Sequence, residues 1–142
     1  MPTLFSSIYT KANVLFQDAQ LLENLTDDEL EYLLEIFLSK AKTLHFKSCT
    51  KDLTDVDLVL KQFNSTLSEE EEWILGLGIR LVWLERKLYK EENLRNRITT
   101  KDYNSFSGGN LIDKLTILKN ETQKELKSLV IDYSFNSFEG FN

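Results

Sequence analysis

Chain breakers are scarce. The single proline is Pro2, and the five glycines fall at positions 76, 78, 108, 109 and 140, so long helices are permitted. Cysteine is as rare: Cys49 stands alone, an intrachain disulfide is excluded, and an oxidising compartment is not indicated. The one histidine, His45, lies four residues before Cys49. A zinc site needs three or four ligands, and no second His or Cys completes a set. We therefore expect neither metal nor cofactor. Basic residues are outnumbered, 17 Lys and Arg against 23 Asp and Glu, for a formal charge of −6. That balance argues against wrapping a nucleic acid, because phosphate binding rests on clustered Lys and Arg. The apolar stretch of the most hydrophobic segment is about 12 residues, too short to cross a bilayer. No N-terminal stretch combines a basic start, an apolar run and a small-residue cleavage site. The expectation is a soluble protein made in the cytoplasm.

What is present suits one globular domain. The 142 residues are 42% hydrophobic and 28% charged, enough to bury a core without staples. The segment Ser68 to Lys90 organises the rest. Between Trp73 and Leu84 only Arg80 is charged, so a one-faced surface helix cannot hide it. Ser68 and Glu71 form a capping box, Glu69 to Glu72 suit a helix start, and Arg86, Lys87 and Lys90 suit a helix end. About 23 residues at 1.5 Å each make a buried central helix of roughly 34 Å. Gly76 and Gly78 within it predict the close approach of another helix.

The other elements follow in order. Leu4, Ile8, Ala12, Leu15, Ala19 and Leu22 predict a first helix over 3–22, with a break near Gln17 and Asp18. Thr26 and Glu29 form a second capping box, and Leu30, Leu33, Leu34, Phe37, Ala41 and Leu44 mark a helix over 27–45. Leu53, Val56, Leu60 and Phe63 allow a short helix from Thr54 to Gln62. Glu91 to Gly109 reads as a long loop carrying Leu94, Ile98, Tyr103 and Phe106, and loops of that length are usually functional or disordered. A last helix is predicted from Asn110, with Leu111, Leu115, Leu118, Thr122, Leu126 and Leu129 on its buried stripe. Beyond Ile131, Tyr133, Phe135, Phe138 and Phe141 are split by Ser, Asn and Gly. Aromatics placed so suit anchors for a groove.

No catalytic constellation emerges. Asp27 with Asp28, Asp55 with Asp57, and Glu69 to Glu72 all sit where a helix start favours negative charge. His45 and Cys49 lack an orienting group and an oxyanion feature. Trp73 and Trp83 read as core. The region Arg86, Lys87, Lys90, Arg95, Arg97 and Lys101 is richer in base than acid and suits a solvated helix end and loop, or contact with phosphate or an acidic neighbour.

Several stretches carry a family resemblance: LTDDELEYLLEIFLSKA (25–41), KDLTDVDLVLKQFN (51–64), LSEEEEWILGLGIRLVWL (67–84) and ENLRNRITTKDYNSFSGGNLIDKL (92–115), followed by the aromatic end. In this order they resemble the small helical head-to-tail connector (adaptor, or neck) proteins of tailed bacteriophages. The resemblance implies an all-α bundle of three to four main helices over residues 1–132, including the loop at 91–109, and an extended C-terminal docking arm over 133–142. It implies a homo-oligomeric ring under the portal, dodecameric as in that family, linking the DNA-filled capsid to the tail. The partners implied are the portal protein and the next neck or tail protein, with DNA passing through the ring without sequence-specific binding and no membrane involved. By the same resemblance Tyr133, Phe135, Phe138 and Phe141 would be arm anchors. Ile98, Lys101, Tyr103 and Phe106 would lie in a loop facing a neighbouring subunit or the channel. The location implied is the virion neck, after synthesis in the bacterial host cytoplasm, and the role is non-enzymatic. A reading from another class is a helical regulatory module that binds one protein partner through its aromatic tail. Ring assembly with a portal against a small complex separates the two.

Overall fold

A computed structural model describes residues 2–16, 26–97 and 111–139. Among these the architecture is an all-α bundle with one small sheet. In chain order the elements are β1 (Thr3–Leu4), α1 (Phe5–Phe16), α2 (Asp27–Lys40), a π-helical turn (Ala41–His45), β2 (Val56–Asp57), β3 (Gln62–Phe63), α3 (Glu69–Arg97) and α4 (Leu111–Glu139).

Helix α3 is the hub, as its composition requires. Ile74, Leu75, Ile79 and Leu81 have no exposed surface and Leu77 only 2%, because α1, α2 and α4 all pack on α3. Its start is the expected capping box: the Glu71 N–H donates to Ser68 Oγ at 3.1 Å, and the Ser68 N–H donates to Glu71 Oε1 at 2.7 Å. The helix outruns its expected end and continues through what read as the start of a loop. Its 29 residues extend about 43 Å. Leu84 and Leu88 bury against Ile112 and Leu115 of α4, Leu94 joins them, and Lys87 pairs with Glu91 one turn on at 3.1 Å. That packing sustains helix where Asn93 and Asn96 suggested a break.

Helix α2 begins at the predicted cap, with the Glu29 N–H donating to Thr26 Oγ1 at 3.2 Å. Its buried face holds Leu34, Phe37 and Ala41, but Leu44 is exposed. The reason is the wider turn over Ala41–His45, which rotates the following residues off the α-helical register and passes the core position to Phe46. In α1 the buried residues are Phe5, Ile8 and Ala12. Leu4 belongs to β1 and not to the helix. The Leu15 side chain, Ala19, Leu22 and the break expected near Gln17 lie outside the described residues.

The short helix expected over 54–62 is instead a hairpin. Strand β3 is central, antiparallel to both β1 and β2, with Thr3 opposite Phe63 and Val56 opposite Phe63 on its other side. The spacing of Leu53, Val56, Leu60 and Phe63 imitated a helix. The outcome was decided by pairing with the N-terminal strand and by Asp57, whose carboxylate accepts the Val59 and Leu60 N–H groups at 2.9 Å each. Asp55 and Asp57 thus serve a turn and not a helix start.

The glycines of α3 do what their cost implied. A Cβ on Gly76 would meet Ala12 N and Lys11 Cβ at 3.3 Å, and one on Gly78 would stand 2.7 Å from Ala41 Cβ. Gly78→Ala gains roughly 1 kcal/mol of helix propensity, but it must push the α2 end away from α3. We expect a net loss of about 1–3 kcal/mol, largely restored in the Gly78→Ala, Ala41→Gly double variant, measured by urea unfolding. A fully additive pair would refute this contact as the cause.

Candidate functional site

The sequence placed its candidate anchors at the end of the last helix and in the loop before it. Helix α4 passes through residue 132 without interruption and runs to Glu139, so 133–139 are helical and not an extended arm. The buried stripe of α4 is Ile112, Leu115, Thr122, Leu126 and Tyr133, spaced by three, four and seven. Leu118, expected on it, is 39% exposed.

Tyr133 is therefore not a free anchor. It is 6% exposed, stacked edge-on to Phe46 at 5.0 Å, and tied into a buried polar knot. Its hydroxyl donates to Glu71 Oε2 at 2.7 Å and accepts from the Thr50 N–H at 2.9 Å. Glu71, only 1% exposed, also accepts from Lys51 Nζ at 3.2 Å and from the Cys49 thiol at 3.5 Å. One carboxylate thus joins the start of α3, the loop at 49–51 and α4. Burial opposes its ionisation, but the Ser68 N–H, the Tyr133 hydroxyl and the Lys51 ammonium outweigh that and hold the carboxyl below its usual range. Burial and the hydrogen bond to Glu71 push the Tyr133 phenol up to about 12. Burial likewise raises the Cys49 thiol, which keeps it protonated and a poor nucleophile. The knot is a structural tie: its polar groups are satisfied by one another.

Helix spacing was the signal for this role, because Tyr133 falls seven residues after Leu126. The aromatic composition of the tail masked it. No sequence rule pointed to Thr50 or Lys51, which reach Glu71 and Tyr133 only through the tertiary fold.

Phe135 behaves differently. It is 61% exposed and Ile131, four residues earlier, is 66% exposed, so the outward face of α4 ends in a bare apolar patch. Phe138 lies within α4, but its side chain is outside the described residues, as are Phe141 and the loop positions Ile98, Lys101, Tyr103 and Phe106. Beside the same end of α4 is an open groove of about 440 Å³ between α3 and α4, floored by Trp73, Leu77 and Leu129 and rimmed by Glu70, Glu125 and Asp132. Trp73 is thus half-buried at a groove, with Lys11 Nζ 5.7 Å from its ring centre. Trp83 bridges the two apolar clusters. In the basic region Arg86 lies over Phe37 at 5.9 Å. His45 is half-buried, and its Nε2 has no hydrogen-bond partner.

Among the described residues no group of three or more His, Cys, Asp or Glu side chains is placed to hold a metal ion, and no helix is long and apolar enough to cross a membrane. The chain matches no family model, no curated protein and no solved structure.

Tyr133→Phe removes the hydroxyl from Glu71 and Thr50. At neutral pH we expect a loss of roughly 1–3 kcal/mol. A carboxyl with a depressed folded-state pKa contributes stability that is present above its unfolded value, near 4.5, and is lost as pH falls through the lower folded value. The gap between wild type and variant should therefore narrow in acid. Urea unfolding across that window checks it, and a gap independent of pH would exclude Glu71 as the partner that matters.

Proposed function

We propose that this protein is a structural connector of the phage head-to-tail kind: a non-catalytic bundle that assembles as a ring between portal and tail and docks through the end of its last helix. The reading is supported first by the resemblance across residues 25–115 and by the all-α bundle that resemblance implies. The observation that carries the docking surface is the bare pair Ile131 and Phe135 on the outward face of α4. A helix end that leaves large apolar side chains in water, four residues apart, presents the pattern by which a helix enters a partner's groove. The acidic balance of the chain, −6 overall, fits a ring through which DNA slides, since a lumen that neutralised many phosphates would hold it.

Within this reading the anchors are Phe135, Phe138 and Phe141. Tyr133 takes the supporting part of fixing α4 to the bundle. The loop positions Ile98, Lys101, Tyr103 and Phe106 keep their proposed contact with a neighbouring subunit or the channel.

The anchors can be removed without touching the core. A chain ending at Ser134 keeps Tyr133 and the whole buried stripe but loses all three anchors, so its melting temperature should match the full chain and its helix content should fall only by the residues removed, while co-sedimentation with portal-bearing capsids is lost. Docking that survives the truncation counts against the aromatic end as the anchor. A full chain that forms only a small complex with one protein, by native mass measurement, points to the regulatory module instead.

A further inference from the structure

Lys42, in the π-helical turn, is a half-buried cation. Its ammonium donates to the Leu53 carbonyl at 3.1 Å and lies 5.8 Å from the centre of the Phe63 ring, but it takes part in none of the ion pairs among the described residues. Asp52 is near enough to act on it, yet that carboxylate is exposed and its Oδ1 accepts the Thr54 N–H at 3.0 Å. Burial lowers the Lys42 ammonium from its usual value, and Asp52 offsets this only in part. An ammonium has three N–H donors, and the Leu53 carbonyl takes one.

The same lysine lines a recess of about 310 Å³ between α2 and the hairpin of β2 and β3. Its inner wall is apolar, formed by the buried side chains of Phe5, Leu38 and Phe63, and Leu58 stands at its edge with 64% of its surface exposed. The other two charges lining it, Lys61 and Glu35, are 2.6 Å apart and compensate each other. One positive charge without a counter-ion is thus set into an apolar recess. That balance favours a monoanion, since a cation would meet Lys42 and a dianion would keep one charge uncompensated. An inorganic anion would leave the apolar wall in water, whereas an anion with a hydrocarbon part covers the wall and the bare Leu58 together. A volume of about 300 Å³ is at the small end of the range for small-molecule sites. The ammonium is already held by the Leu53 carbonyl and the Phe63 ring, so little freedom is lost when an anion arrives.

We infer that this recess is a binding site for a small apolar monocarboxylate, a short fatty or aryl-alkyl acid, whose carboxylate accepts from Lys42 Nζ while its hydrocarbon part lies against Phe5, Leu38, Phe63 and Leu58. The site uses no residue of α4 and is independent of the connector reading.

Titration of the full chain with phenylbutyrate, followed by calorimetry and by backbone amide NMR shifts, tests it. The acid should bind with a dissociation constant of about 1 mM or tighter, and the shifts should concentrate at β2, β3 and the end of α2. Phenylbutanol keeps the hydrocarbon without the charge, phenylbutylamine reverses the charge, and acetate lacks the hydrocarbon; each should bind about tenfold more weakly or not at all. Lys42→Met keeps an apolar stem and should weaken phenylbutyrate about tenfold or more, removing the preference for acid over alcohol. Leu58→Glu, at an exposed position, should weaken the acid more than the alcohol, and it keeps the test valid if Lys42→Met disturbs the turn. Absence of saturable binding, equal affinity for acid and alcohol, an affinity indifferent to either variant, or shifts confined to another part of the bundle overturns the inference.

Discussion

Helix α3 must be covered on all sides, and the rest of the structure answers that demand. A stretch from Trp73 to Leu84 with one charge presents no face suited to water, so α1, α2 and α4 are drawn round it. Close coverage needs small residues at the contacts. Gly76 lets the α1 backbone come within van der Waals reach, and Gly78 does the same for Ala41 at the end of α2. Each glycine gives up helix propensity, and the tight packing of two helix surfaces offsets it.

Apolar packing alone does not set how the helices slide along one another. The knot around Glu71 adds direction: its carboxylate, already met by the Ser68 N–H and Lys51, receives the Tyr133 hydroxyl only where α4 brings that residue within reach. A buried charge missing one of these partners is costly. The capping residue of α3 thereby doubles as the registration point for α4. The same geometry explains why Cys49, although beside a carboxylate and a phenol, is chemically quiet.

Closing the core leaves some large apolar side chains in water. The outward face of α4 ends in Ile131 and Phe135, and the hairpin ends in Leu58, Val59 and Leu60. They lie on different elements, and the connector reading draws on the first of them, the helix end. A basic stretch late in α3 and an acidic one at its start give the long α3 helix charge of opposite sign at its two ends, the arrangement its dipole favours.

The sequence by itself determined the all-α class, the central helix with its capping box, the start of α2 at Thr26, and the meaning of the two glycines in α3. Each of these rests on local spacing, which survives without knowledge of the neighbours. Only the tertiary structure decided the rest. The three-and-four spacing of Leu53, Val56, Leu60 and Phe63 became a hairpin because a strand sixty residues away in sequence pairs with it. The end of α3 stayed helical because Leu88 and Leu94 found α4. Tyr133 looked like one aromatic among four in a tail, and became a core residue because the carboxylate of Glu71 was there to receive its hydroxyl. Long-range partners decide such outcomes, and no window of neighbouring residues contains them.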